Sequence, residues 1–245
     1  MKVKQNFSNE IETFSASSIY ERVGIDIPPH KTIITQSEGD EIIRIIHNAG
    51  RTFVSVQHEH IKTISKYLYE NNIADKLCSS LFYREILDLL GYNYRDFLLK
   101  PSEEFLQDIK YNCEHTLDFI CTKDSFIPQN TQQVESICRG DKRFILNDDF
   151  DGTMYSITDN KRIISCSYYK QNRGVFENTC SMQVFSRPEA RRNGYGKITT
   201  SAATQAVINN NKLALWVCQV ENIPSRRIAQ SLGYLLLGGE LRIVM

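Results

Sequence analysis

One stretch constrains this chain more than any other, the run MQVFSRPEARRNGYGK from Met182 to Lys197. Met182 to Ser186 reads as a short apolar strand, and a basic turn with two glycines follows it. Ile198 to Ile208 reads as a helix, because Ile198, Ala202 and Ala206 recur at four-residue spacing with Val207 beside them. A strand, a basic glycine turn and a helix N-terminus are the parts from which proteins build phosphate sites. Glycine lets the backbone come close, the first N–H groups of a helix lack internal partners, and the helix dipole favours negative charge there. Spacing removes two such sites. A P-loop needs Gly-x4-Gly-Lys-Ser/Thr, but Gly196-Lys197 precedes Ile198 and the earlier glycine position holds Arg191. A dinucleotide fingerprint needs a third glycine where Thr199 stands.

The sequence downstream extends the pattern. Lys212 to Cys218, KLALWVC, reads as a second strand, almost wholly apolar and so buried on both faces. Glu221 to Tyr234 then reads as a helix entered at Asn222, Pro224 and Ser225, with Ile228 and Leu232 on one face and Gly233 at its C-terminal end. Arg191-x-x-Gly194-x-Gly196 and Asn222-x-x-Ser225 leading to Gly233-Tyr234 occur in this order, with a helix of ordinary length between. Together they resemble the two signatures of the GNAT superfamily of N-acetyltransferases, in which the first holds the pyrophosphate of acetyl-CoA.

Charge and thiol content bound the remaining classes. Twenty-nine basic and 29 acidic residues cancel over 245 residues. That balance argues against a nucleic-acid or membrane partner, since either calls for a basic stripe. Against it, the local excess at Arg187, Arg191, Arg192 and Lys197 stands out. The seven cysteines are scattered, odd in number and never in C-x-x-C spacing. This points to reduced thiols and a cytoplasmic protein. No signal peptide or membrane-length apolar run is expected.

The chain divides near residue 114 in this reading, into a mixed, helix-rich α/β region over 1–113 and an acetyltransferase domain over 114–245. Residues 1 to about 35 read as polar and irregular, with Pro28-Pro29 opposing helix. Glu41 to His47 reads as helix, Arg51 to Gln57 as strand, and His60 to Asn71, Lys76 to Leu90 and Pro101 to Tyr111 as helices. His58-x-His60 lacks a third ligand nearby, so no metal is expected. In the second region Thr116 to Cys121 reads as strand and Gln129 to Arg139 as helix. Gly152 to Ile157 and Arg162 to Tyr169 read as a hairpin turning at Asp159-Asn160, and Val175 to Ser186 continues the sheet. The fold class expected is α/β (α+β), a mixed, mostly antiparallel sheet flanked by helices.

The resemblance implies an acetyl-CoA-dependent N-acetyltransferase acting on a primary amine of a small molecule or peptide, with homodimerisation left open. It implies that the strand ending in Val184, Phe185 and Ser186 pairs with the pantetheine arm and serves the developing oxyanion. Arg191, Arg192, Asn193, Gly194, Tyr195, Gly196 and Lys197 would take the pyrophosphate. Asn222 and Ser225 would contact the pantetheine, or else only cap their helix. Many relatives carry a tyrosine on the last helix that protonates the departing thiolate; Ala229 stands there, leaving Tyr234, water or no acid. Glu177 is the candidate base and Glu221 its alternative. Cys180 and Cys218 flank the site without a covalent role, since the family transfers directly to the amine. The alternatives are a non-catalytic acyl-CoA-binding sensor of the same fold and a transferase for longer acyl chains.

Overall fold

The computed structural model describes residues 2–93, 98–99, 112–138, 141–143 and 152–244. The elements run α1 (Lys2–Val23), β1 (Thr32–Gln36), β2 (Glu41–Asn48), β3 (Arg51–Val56), α2 (Ile61–Glu70), α3 (Ile73–Leu77), α4 (Phe82–Leu89), β4 (Leu98–Leu99) and β5 (Asn112–Cys121). They continue with β6 (Glu135–Cys138), β7 (Thr153–Asp159), β8 (Arg162–Gln171), β9 (Thr179–Ser186), α5 (Tyr195–Asn209), β10 (Leu213–Gln219), α6 (Ile223–Ser231) and β11 (Leu235–Val244). The chain forms two compact units. One comprises Met1–Asp118, Cys218–Asn222 and Leu237–Met245, the other Phe119–Val217 and Ile223–Leu236.

In the first unit the strands lie in the order β1-β3-β2-β11-β5, with β4 on β5. β2 runs antiparallel to both β3 and β11, while β1 is parallel to β3. One face carries Ile43, Ile45, Val54 and Val56 against Ile64, Phe82 and Ile86 of the helices. The other carries Ile46 and Phe53 against Ile19 of α1. Arg22 of α1 reaches the buried Asp118 at 2.7 Å, and Glu240 bridges Arg22 (3.5 Å) and Arg44 (2.7 Å).

Three expectations fail here for physical reasons. The first 35 residues are not irregular: α1 fills most of them and β1 follows. Its buried face uses Ser15 and Ser18 beside Phe14 and Ile19, so a hydropathy reading sees a polar segment. Both serines are hydrogen-bonded, Ser15 Oγ donating to the Ile11 carbonyl at 2.7 Å and Ser18 Oγ accepting from the distant Asn48 Nδ2 at 3.2 Å. Glu41 to His47 is strand β2, not helix. Its register with β11 skips at Ile42, and such a bulge turns two consecutive side chains to one face. Ile42 and Ile43 thus share one core while Ile46 serves the other, which imitates helical spacing. Lys76 to Leu90 is two helices, because Ser79 breaks the run; its Oγ accepts from the Leu81 N–H at 3.2 Å. Arg51–Val56 is strand and Ile61–Glu70 helix, as expected. The helix expected over Pro101 to Tyr111 lies outside the described residues.

In the second unit the order is β10-β9-β8-β7-β6, antiparallel from β6 through β9 and parallel between β9 and β10. α5 packs across β7, β8 and β9. The β7–β8 hairpin forms as expected but turns one residue later than Asp159-Asn160: Asp159 pairs with Arg162 and the loop is Asn160-Lys161, both at positive φ (48° and 64°), the backbone of a type I′ turn. The helix expected over Gln129 to Arg139 is absent. Asn130 Oδ1 accepts from the Gln132 N–H at 3.0 Å, a local turn that competes with helix. Glu135–Cys138 is edge strand β6, with Ile137 opposite Met154. β9 begins at Thr179 rather than Val175, after a 3-10 turn at Gly174–Phe176. β10 is not buried on both faces: Ala214, Trp216 and Cys218 are buried, whereas Val217 is 49% exposed.

Candidate functional site

The site begins where two strands part. β9 and β10 pair only at Thr179–Leu213, Cys180–Ala214 and Ser181–Leu215. From Met182 onward β9 keeps its β8 partner up to Ser186 opposite Ser165, and no β10 partner among the described residues. The Arg187 N–H donates to the Ile164 carbonyl at 2.9 Å. Alternation in an antiparallel pair then turns the peptide groups of Gln183 and Phe185 towards β8. Those of Met182, Val184 and Ser186 face the gap.

The turn after β9 is tightly built. Pro188–Ala190 forms one 3-10 turn, and Arg192 and Gly194 take left-handed backbones (φ 67° and 78°). Arg191 Nε donates to the Ser186 carbonyl at 3.2 Å, and Asn193 Nδ2 to the carbonyls of Ala190 and Arg191 at 3.3 and 3.4 Å. Gly194 is the N-cap of α5 and offers no side chain to cap it. Ile198 is the first residue to bond back, to the Gly194 carbonyl at 3.1 Å. The N–H groups of Tyr195, Gly196 and Lys197 therefore end the helix unsatisfied. Arg191, Arg192 and Lys197 form no carboxylate ion pair among the described residues. A Cβ built on Gly194 meets nothing within 4 Å. Open space, free amides and uncompensated cations coincide, which is the chemistry a pyrophosphate needs.

Gly196 works differently. A Cβ there would lie 3.2 Å from Ser186 Oγ, 3.4 Å from Ile228 Cδ1 and 3.5 Å from Val184 Cγ2. The missing side chain lets α5 approach β9 and α6. Beneath it lies a buried hydroxyl ladder that the sequence reading missed. Ser165 Oγ meets Ser186 Oγ at 2.8 Å and donates to the Phe185 carbonyl at 3.1 Å, while Ser167 Oγ meets Thr199 Oγ1 at 3.1 Å and Thr200 Oγ1 at 2.9 Å. Thr199 Oγ1 in turn donates to the Tyr195 and Gly196 carbonyls at 3.1 and 3.2 Å. The first turn of α5 is thus tied to β8 by polar groups that all have partners. The signal available was Ser165-x-Ser167 on a strand, hydroxyls at inward-facing positions.

Other expected site residues stand apart or have other work. Ser225 Oγ accepts from the Trp216 indole at 3.0 Å, so it fixes the buried ring. Asn222 is exposed in a turn where its N–H donates to the Gln219 carbonyl at 3.0 Å. Glu177 is exposed before β9 begins, its carbonyl accepting from Lys212 Nζ at 3.4 Å. Val184 lies seven positions further along the chain, at most about 23 Å away at the usual strand rise. Tyr234 is buried, edge-on to Trp216, with its hydroxyl 2.7 Å from Thr204 Oγ1; burial pushes its pKa well up. Ala229 is fully buried. Burial also raises the Cys180 thiol, leaving little thiolate. Among the described residues no group of three or more His, Cys, Asp or Glu is placed to hold a metal, and no helix is long and apolar enough to cross a membrane.

Comparison with known proteins identifies the family. The model of the family "GNAT acetyltransferase" matches residues 99–238. Among solved structures, an acetyltransferase of the GNAT family from Colwellia psychrerythraea is 5% identical over 56% of this chain and 57% of its own, with a TM-score of 0.46. A GCN5-related N-acetyltransferase from Kribbella flavida is 13% identical over 52% of this chain and 56% of its own, with a TM-score of 0.38. A Drosophila protein is 12% identical over 82% of this chain and 73% of its own, with a TM-score of 0.40. The chain thus spans less than two thirds of either bacterial structure. No curated protein matches it.

Proposed function

Since the chain belongs to the GNAT acetyltransferase family, we propose that it transfers acetyl from acetyl-CoA to a primary amine of a small molecule or peptide, with residues 114–245 carrying the reaction. The observation that supports this most is the free inner edge of β9 ending at the uncapped, cationic N-terminus of α5. The amides of Tyr195, Gly196 and Lys197, with the charges of Arg191, Arg192 and Lys197, would take the pyrophosphate. The peptide groups of Met182, Val184 and Ser186 would bond the pantetheine amides as a strand added to β9. One of these N–H groups would face the thioester oxygen and stabilise the charge that develops there.

In the transfer, the amine nitrogen attacks the thioester carbon, the C–S bond breaks and the sulfur leaves as thiolate. The amine must lose a proton and the thiolate gain one. Glu177 lies along β9 from the turn, so a water relay would have to connect it to the amine. Ala229 offers no hydroxyl and Tyr234 spends its own on Thr204, which favours a thiolate protonated by water. It also supports the second reading, an acyl-CoA sensor that binds without turnover. Seven free thiols are in keeping with a cytoplasmic setting.

Calorimetric titration with acetyl-CoA, with thiol release followed in the same sample across a panel of primary amines, tests the proposal. Binding with amine-dependent thiol release is expected. Binding without release for any amine would favour the sensor, and absence of binding would remove the site assignment.

A further inference from the structure

The strands of the first unit end on one side at β1, and that edge is bare among the described residues. β1 pairs with β3 in parallel register, from Thr32 beside Thr52 to Gln36 beside Val56. The Thr52 N–H donates to the Lys31 carbonyl and the Ser37 N–H to the Val56 carbonyl, both at 2.9 Å. A parallel ladder draws on alternate residues of a strand, so Lys31, Ile33, Thr35 and Ser37 spend their peptide groups on β3. The N–H and C=O groups of Thr32, Ile34 and Gln36 therefore point away from the sheet, and no backbone group among the described residues bonds them. Edge strands are commonly guarded by a charge, a proline or a bulge. Thr32–Gln36, TIITQ, has none of these: its register with β3 is unbroken and four of its five residues are β-branched. Ile34 packs on the core of one sheet face and Ile33 on that of the other, so the strand is held in place with its outer groups presented.

We infer that β1 pairs with β1 of a second copy of this chain, antiparallel across a two-fold axis at Ile34. Only Thr32, Ile34 and Gln36 have peptide groups to exchange. Ile34 thus faces Ile34 of the second copy, and Thr32 of each copy faces Gln36 of the other. Each such pair exchanges two N–H···O bonds, and a slip of one residue would set spent groups against free ones. Charge selects the same direction. Lys31 precedes β1, whereas Glu38 and Asp40 follow it; all three are exposed and none forms an ion pair among the described residues. A copy laid parallel and in register would set like charges side by side. The antiparallel copy sets Lys31 beside the Ser37–Asp40 turn of the other chain, and the symmetry repeats that complement. This inference does not depend on the acetyl-transfer reading.

So short a ladder gives a weak dimer, and the test is sedimentation equilibrium of the full chain at low salt, from about 1 to about 200 µM. A monomer–dimer equilibrium is expected. Ile34→Pro removes an outward N–H that bonds nothing within the protein, a position where an edge strand accepts proline, and should weaken the dimer at least tenfold. Thr32→Lys/Gln36→Lys sets like charges opposite each other twice and should weaken it as much. Thr32→Lys/Gln36→Glu sets opposite charges there and should return the dimer to at least wild-type strength. Thermal unfolding checks that each variant is folded, and the two charge variants, both at exposed positions, decide the matter if the proline variant is not. A monomer over the whole range, a dimer that keeps its strength within threefold in the double lysine variant, or a charge-swapped variant no stronger than that one would each overturn the assignment. So would species that grow beyond the dimer with concentration, because a two-fold ladder closes.

Discussion

Replacing Gly194 by Asp separates the donor site from the fold. Gly194 holds φ at 78°, which costs an L-residue roughly 1–2 kcal/mol, least for Asn and Asp. No atom within 4 Å opposes the new Cβ, so the Cβ itself meets no clash. A carboxylate beside the first turn of α5 should recover roughly 0.3–1 kcal/mol from the helix dipole. Net destabilisation is therefore about 1 kcal/mol or less. Binding should respond far more. At roughly 5 Å from a phosphate charge and an effective dielectric near 20, the repulsion is about 3 kcal/mol. At about 1.4 kcal/mol per decade, that is at least a hundredfold in Kd for acetyl-CoA. Gly194→Ala is the control: similar backbone strain, no charge, and a loss of affinity nearer tenfold or below. Urea unfolding and calorimetry on the same preparations measure both quantities. A folded Gly194→Asp protein that binds acetyl-CoA within threefold of wild type at low salt would refute the placement of the pyrophosphate.

Three further outcomes follow from the geometry. Gly233→Ala would place a Cβ 1.8 Å from the Ser125 carbonyl oxygen, with φ at 83°; a loss of more than about 3 kcal/mol is expected in chemical denaturation, and a loss below 1 would show the turn to be yielding. Thr199→Val removes the hydroxyl that Ser167 meets at 3.1 Å and that donates to Tyr195 and Gly196; stability should fall by about 1–2 kcal/mol, and acetyl-CoA affinity should weaken as the helix end loosens. Burial pushes the Cys113 thiol up to about 12 and those of Cys121 and Cys166 to about 11, from 9. The folded state holds these protons more tightly than the unfolded chain, so their contribution is complete below pH 9 and is lost as pH rises through 11 to 12. Urea midpoints that stay constant from pH 8 to 10.5 would contradict this.

What was legible in the sequence was local. The β9 strand, the glycine turn, α5, β10, α6 and the Gly233 terminus each declare themselves within a few residues, through strand formers, an uncapped basic turn and a glycine at positive φ. What was hidden depends on distant partners. α1 was invisible because its buried face is made partly of serines, and their burial is tolerable only because Asn48, 30 residues away, supplies a donor to Ser18. β2 passed for a helix because a bulge against β11, some 200 residues later, turns Ile42 and Ile43 to the same core. The hydroxyl ladder required knowing that Ser165 lies opposite Ser186.

The same division explains the donor site. Its amides belong to one short segment, but their availability does not. Val184 faces a gap only because β10 leaves β9 after Ser181. Ile228 reaches to within 3.4 Å of where a Gly196 Cβ would stand, and Ser225 pins Trp216. A motif of three fixed positions, Arg191, Gly194 and Gly196, thus marks where a phosphate would sit. The opening that admits the rest of the ligand is a property of strand register, which the chain sets far from the motif.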